Sequence, residues 1–137
     1  MDKRVVKVGQ LEVGPQKPLL WILGPCVIES RDLVLSVADR ILEISKKLNI
    51  QVVFKSSFDK ANRSSGKTFR GPGIDEGLKI LDEVKRITGL PVLTDIHETD
   101  HAAPAGQVCE VLQIPAFLAR QTDLLFAAGK TGKVINV

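Results

Sequence analysis

Apolar residues fall along the chain in short uninterrupted runs, separated by longer stretches where they recur every third or fourth position. The runs are Leu19 to Leu23, Gln51 to Phe54, Pro91 to Leu93 and Val111 to Ile114, with a fifth opening at Val134. They are nearly continuous rather than alternating, the pattern of parallel strands covered on both faces. Behind a candidate N-cap at Ser30, the residues Leu33, Val37, Ile41, Ile44 and Leu48 repeat at helical spacing. Leu78, Leu81, Val84 and Ile87 do the same and stop near Gly89 and Pro91. A shorter helix is expected over Asp123 to Lys130. Ahead of all these, Val5 to Val8 and Leu11 to Val13 read as a hairpin turning at Gly9-Gln10, within about residues 4–14.

Strands alternating with helices imply an α/β fold with a parallel sheet. A (β/α)8 TIM barrel needs about 250 residues. The chain has 137, and its strand pattern stops as the fifth run begins. The expectation is one domain over residues 1–137, the first half of such a barrel. Composition agrees with a folded domain: 44% hydrophobic, 26% charged, net charge +3. No apolar run reaches the roughly 18 residues of a membrane span. The start, Met1-Asp2-Lys3-Arg4, leads into no long apolar stretch of a secretory signal. Two cysteines, Cys26 and Cys109, make no disulfide framework, so a reducing, cytoplasmic compartment is expected.

Charge is uneven. Lys55, Lys60, Arg63, Lys67 and Arg70 stand against one acid, Asp59, so this segment carries +4 in a chain whose total is +3. Local positive charge suits a small anionic ligand better than a nucleic-acid surface, which spreads charge over a face. The plain alternative is a solvated basic loop. The cluster lies in Ser56 to Gly73, a stretch without periodicity. A loop that long in a compact domain is usually functional or disordered, and it follows a strand, where α/β folds place ligands.

Four motifs carry candidate chemistry. His97-Glu98-Thr99-Asp100-His101 has the zinc-protease spacing, which requires both histidines on one helix. It directly follows a strand and lies three residues before Pro104, so it reads as loop instead. Gly129-Lys130-Thr131 resembles the end of a P-loop, but Leu124 stands where that motif needs glycine. Gly129 and Gly132 therefore read as a helix end and turn. Cys26, after Gly24-Pro25 at a strand's C-terminal end, is either a small buried hydrophobe or a thiolate ligand or nucleophile. Cys109, within an apolar pattern, reads as core. Finally, Lys55, Asp95 and Gln113 end successive strands, and together with the basic loop would line a pocket for phosphorylated substrates.

The block Phe54-Lys55-Ser56-Ser57-Phe58-Asp59-Lys60-Ala61-Asn62-Arg63-Ser64-Ser65, with Phe69-Arg70-Gly71-Pro72-Gly73, closely resembles the 3-deoxy-D-manno-octulosonate 8-phosphate synthase family. So do Thr94-Asp95-Ile96-His97-Glu98 and the segment Gln113 to Leu124. The resemblance runs from about Val5 to Val137, over the first half of the family's barrel. It implies condensation of phosphoenolpyruvate with arabinose 5-phosphate and water, for lipopolysaccharide biosynthesis. By resemblance, Lys55, Lys60, Ser57 and Gln113 would meet phosphoenolpyruvate, with Lys55 and Lys60 as the catalytic candidates. Asn62, Arg63 and Ser64 would hold the sugar phosphate near its phosphoryl group, and Asp95 its hydroxyls. Pro115 and Ala116 would line the pocket, and Phe117 and Arg120 would reach a neighbouring subunit of a homotetramer. In carrying Cys26 the chain resembles the family's metal-dependent branch, which implies a divalent metal ion (Mn, Fe, Zn or similar) whose other ligands would come from the barrel's second half.

Two rival readings remain. The related synthase uses erythrose 4-phosphate, against which Asn62-Arg63-Ser64-Ser65 argues by family pattern. A half-barrel without catalysis, a phosphate-binding or assembly module, would need self-association or the missing C-terminal half to cover its open sheet edge. Nucleic acid and membrane partners are not expected.

Overall fold

The computed structural model describes residues 4–61 and 65–137. Strands β1 (Val6–Val8) and β2 (Leu11–Val13) form an antiparallel hairpin that pairs Val8 with Leu11. Gly9 turns it with φ 59°. Five parallel strands follow: β3 (Leu20–Leu23), β4 (Gln51–Lys55), β5 (Val92–Asp95), β6 (Val111–Gln113) and β7 (Val134–Asn136). Their spatial order equals their chain order, β3-β4-β5-β6-β7. The crossovers carry α1 (Arg31–Leu48), α2 (Ile74–Thr88), α3 (Thr99–Val108) and α4 (Thr122–Lys130), with a 3-10 turn over Ala116–Leu118. Each strand adds to the same edge. Same-handed crossovers then place every helix on one side of the sheet, the winding of a barrel. The chain is thus the first half of a (β/α)8 barrel.

Side chains sort by parity along the strands. Val52, Phe54, Val92 and Leu112 join the main core with Val34, Ala38, Leu81, Val84, Ala105 and Ala128 of the helices. The intervening Val53, Leu93 and Val111 form a second cluster on the opposite face, against Leu11 and Val13 of the hairpin. The hairpin therefore closes the N-terminal end of the concave face. Lys55, Asp95, Gln113 and Asn136 each lie two residues beyond a member of this inner set, at the other end. Continuous burial holds for the central strands, whereas β3, at the sheet edge, leaves Trp21 and Ile22 exposed.

The helix starts and stops follow local chemistry. The Ser30 hydroxyl accepts from the Leu33 N–H at 3.2 Å and caps α1. Gly89 ends α2 with φ 72°. Two expectations change. The buried face of α1 is centred on Val34 and Ala38, while Leu33, Ile44 and Leu48 of the periodic set are exposed. Leu48 is 60% exposed, and Ile87 on α2 is 56%. Small Ala38 lets α1 approach the sheet, so the larger apolar residues fall on its flanks. The second change is α3, which starts two residues after His97 and continues through Pro104. Burial of Ala102, Ala105 and Gly106 compensates for the hydrogen bond that proline cannot donate. No helix among the described residues is long and apolar enough to cross a membrane.

Gly77 permits the closest helix-to-loop approach. A Cβ there would lie 2.3 Å from the Phe58 Cβ, and Phe58 is 1% exposed. Gly77→Ala is expected to lower stability by about 1–3 kcal/mol through overpacking, read as a lower midpoint in chemical denaturation.

Candidate active site

The C-terminal ends of β4, β5 and β6 meet at a cleft of about 260 Å³. Lys60, Ala61, Asp95, His97, Gln113, Pro115, Ala116 and Phe117 line it. Larger recesses lie against α3 and α4, but Leu125, Phe126, Ala102 and Ala127 dominate their walls. They lack convergent charge, as does the apolar recess under the hairpin, which makes the smaller cleft the candidate site.

Asp95 is its hub. The residue is 5% exposed. Ser57 donates its hydroxyl hydrogen to Oδ1, and His97 Nε2 lies 2.9 Å from Oδ2. The Lys55 ammonium stands 3.8 Å away. Lys60 donates to the Ser57 hydroxyl at 2.7 Å, completing a path from ammonium to carboxylate. Burial acts to raise the Asp95 pKa, but the His97 and Ser57 bonds, then the charges of Lys55 and Lys60, hold it down at about 2. Burial lowers the Lys55 pKa, which the neighbouring Asp95 partly offsets.

Local sequence explains this positioning. Period two puts Lys55 and Asp95 on the inner face beyond Val53 and Leu93. The chain after β4 stays bound to the sheet, because the Thr94 hydroxyl donates to the Ser56 carbonyl at 2.9 Å. The Ser56 hydroxyl in turn donates to the Pro25 carbonyl at 2.9 Å. Val27 and Ser57 form a parallel bridge that carries the β3–β4 pairing onward. Gly24 makes this route passable: a Cβ on it would lie 1.8 Å from the Lys55 carbonyl oxygen.

The remaining candidates divide. Gln113 lines the cleft and accepts from the Asn136 amide at 3.1 Å. Pro115, Ala116 and Phe117 form one wall, Phe117 being 61% exposed. Arg120 is exposed and lies outside the lining. Cys26 is exposed on the loop after β3, within Coulombic reach of Lys55, so it is not a buried hydrophobe. Cys109 is core, its thiol pushed up to about 12 chiefly by burial. Asn62, Arg63 and Ser64 lie outside the described residues.

The basic segment does not converge as a unit. Arg70 pairs with Asp59 at 2.8 Å, and the Lys60 N–H donates to the Arg70 carbonyl at 2.7 Å, tying the loop base. Lys67 is exposed. Only Lys55 and Lys60, of the described basic residues in it, face Asp95.

Reasoning from sequence missed two residues. His97, set aside with the zinc pattern, touches Asp95. Asn136 touches Gln113, and period two from Val134 would have found it. Among the described residues, no three His, Cys, Asp or Glu side chains group as a metal site.

The depressed pKa of Asp95 gives a sign for pH dependence. Its ordinary value is 3.8 and its folded value about 2. The stabilisation is complete above the ordinary value and is lost as acid protonates the folded group. Asp95→Asn is therefore expected to flatten the loss of stability between about pH 4 and pH 2, measured by denaturation across that range.

The family model described as "DAHP synthetase I family" matches residues 3–137. A 2-dehydro-3-deoxyphosphooctonate aldolase of Shewanella oneidensis is 51% identical over 137 residues, all of this chain and 49% of that protein. The protein of the same name from Pseudoalteromonas translucida is 52% identical over 137 residues, covering 48% of its length. That of Pseudomonas entomophila is 50% identical, covering 49%. The chain spans about half the length of these curated relatives. It belongs to the DAHP synthetase I family.

Proposed function

We propose that the complete protein condenses phosphoenolpyruvate with D-arabinose 5-phosphate and water, giving 3-deoxy-D-manno-octulosonate 8-phosphate and inorganic phosphate for lipopolysaccharide synthesis. The observation that carries this reading is that Lys60, Asp95 and Gln113 line one cleft, with Lys55 and Ser57 held against Asp95 behind it, in a chain whose relatives bear the aldolase name. Two anionic substrates must be held together there. Lys55 and Lys60 supply charge for the phosphoenolpyruvate carboxylate and phosphate, with Ser57 and Gln113 as hydrogen-bonding partners. Asn62, Arg63 and Ser64 would take the sugar phosphate. Asp95, ionised and acceptor-only, suits the hydroxyls of the sugar.

In this scheme C3 of the enol attacks the aldehyde carbon. The carbonyl oxygen becomes a hydroxyl by taking a proton from a lysine. Water adds at C2 and returns one proton to the lysine; phosphate then departs with the bridging oxygen and the other water proton, leaving the C2 carbonyl, so the C–O bond breaks rather than the P–O bond. Holding both substrates in line supplies much of the rate. Pro115 and Ala116 shape the wall. The exposure of Phe117 and Arg120 suits residues that reach a neighbouring site in a homotetramer, in the cytoplasm.

A divalent metal ion (Mn, Fe, Zn or similar) belongs to this proposal. The exposed Cys26 thiol on the same rim fits one corner of such a site, with further ligands from the other half of the barrel. When bound, the ion would orient the aldehyde or the water. Excess chelator is expected to abolish activity of the complete gene product. Cys26→Ser is expected to reduce its bound metal, measured by elemental analysis; full activity in excess EDTA would refute the metal.

The family match also covers a second reading, in which erythrose 4-phosphate replaces the pentose. The complete gene product is expected to release phosphate from phosphoenolpyruvate with arabinose 5-phosphate far faster than with erythrose 4-phosphate. A reversed preference selects the second reading, and no release with either sinks both. Lys60→Ala is expected to lower kcat at least 100-fold, a typical loss for one electrostatic group.

A further inference from the structure

We infer that His97 is the positioning residue for Asp95, holding its carboxylate in the orientation that presents it to the sugar hydroxyls; this rests on the function proposed above. The ionised Asp95 carboxylate only accepts hydrogen bonds, so the 2.9 Å contact assigns the proton to His97 Nε2. The His97 side chain is 7% exposed. Its other nitrogen, Nδ1, is buried and has no partner among the described residues. Among the described residues the ring thus holds Asp95 through one nitrogen and pairs the other with no group, the reverse of a histidine that merely ties two elements together.

The ring is fixed from behind. It stands edge-on to Phe58 at 5.7 Å and to His101 at 5.9 Å between centroids. The His97 backbone N–H donates to His101 Nδ1 at 3.3 Å, so the first turn of α3 locks the loop. Phe58 is itself pinned against Gly77. With His97 on Oδ2 and Ser57 on Oδ1, the carboxylate cannot rotate without losing a bond. Ser57 passes that constraint to Lys60.

Several charged groups bear on the pair. Lys55 faces Asp95 from the end of β4, and Lys60 from the segment after it. His101 stands behind His97 on α3, with Glu98, Asp100 and Asp59 acting on it. Gln113 faces the same cleft without charge.

The test uses the complete gene product as wild type, His97→Leu and His97→Gln. Gln places an amide donor near the Nε2 position, and Leu fills the space without one. The acid limb of kcat/KM for arabinose 5-phosphate is expected to move up by about one pH unit in His97→Leu, a tenfold change in proton affinity. His97→Gln is expected to return it towards wild type. A merely structural histidine would lower activity equally at every pH, without rescue by Gln, and that result overturns the inference. Thermal unfolding from pH 5 to pH 2 separates it from the functional reading. If wild type turns over neither aldose, the function proposed is wrong. The inference about His97 then stands if acid lowers the midpoint less in His97→Leu than in wild type and His97→Gln, because an Asp95 pKa nearer its ordinary 3.8 leaves less stabilisation to lose. It falls if the three profiles coincide.

Discussion

The parity of a parallel sheet governs this molecule. Each strand presents alternate residues to opposite faces, and only one face carries helices. Val52 and Phe54 go to the helical core, while Val53 goes inward. Two residues beyond each inner apolar position the strand ends in a polar group: Lys55, Asp95, Gln113 and Asn136. The register pairs Asp95 with Gln113 and Gln113 with Asn136, so these three form one layer. A shift of one residue in any strand would send its functional group into the helical core and an apolar one into the cleft.

Within that layer the decisive term is the burial of Asp95. Removing a carboxylate from water costs several kcal/mol after relaxation. Exposed pairs such as Arg40 with Glu43 contribute about 0–1 kcal/mol each and could not offset it. What offsets it is local: bonds from His97 and Ser57, and two ammonium groups. The same arrangement that makes the charge tolerable gathers positive charge and a fixed acceptor at the mouth of the sheet. Structural compensation and, in the function proposed, ligand recognition are therefore one network.

The elements were largely legible because their signals are local. The strand runs needed changes of only a residue or two, and Ser30 and Gly89 punctuate the helices as their chemistry dictates. The buried face of α1 was not legible, since periodicity reports which positions are apolar and not which of them a neighbour covers. The helix through Pro104 was missed because proline's local penalty weighs against it, and only packing of Ala102, Ala105 and Gly106 reverses the balance. His97 carries the spacing of a zinc motif that would need one helix, and that spacing says nothing of its real contact. Its partner, Asp95, is two residues away on a strand end, a relation no helical spacing encodes.

By itself the sequence determined the α/β class, the strand and helix order, the polar strand ends and the basic loop, because each depends on spacing along the chain. Resemblance in its long motifs supplied the family. Tertiary structure alone decided which charges meet. Arg70 turns to Asp59 at the loop base, and Lys60 turns to Ser57 and the cleft, although all lie in one basic segment. The reason is that a buried carboxylate draws the nearest donors that the sheet brings within reach, and that reach is measured across strands rather than along them.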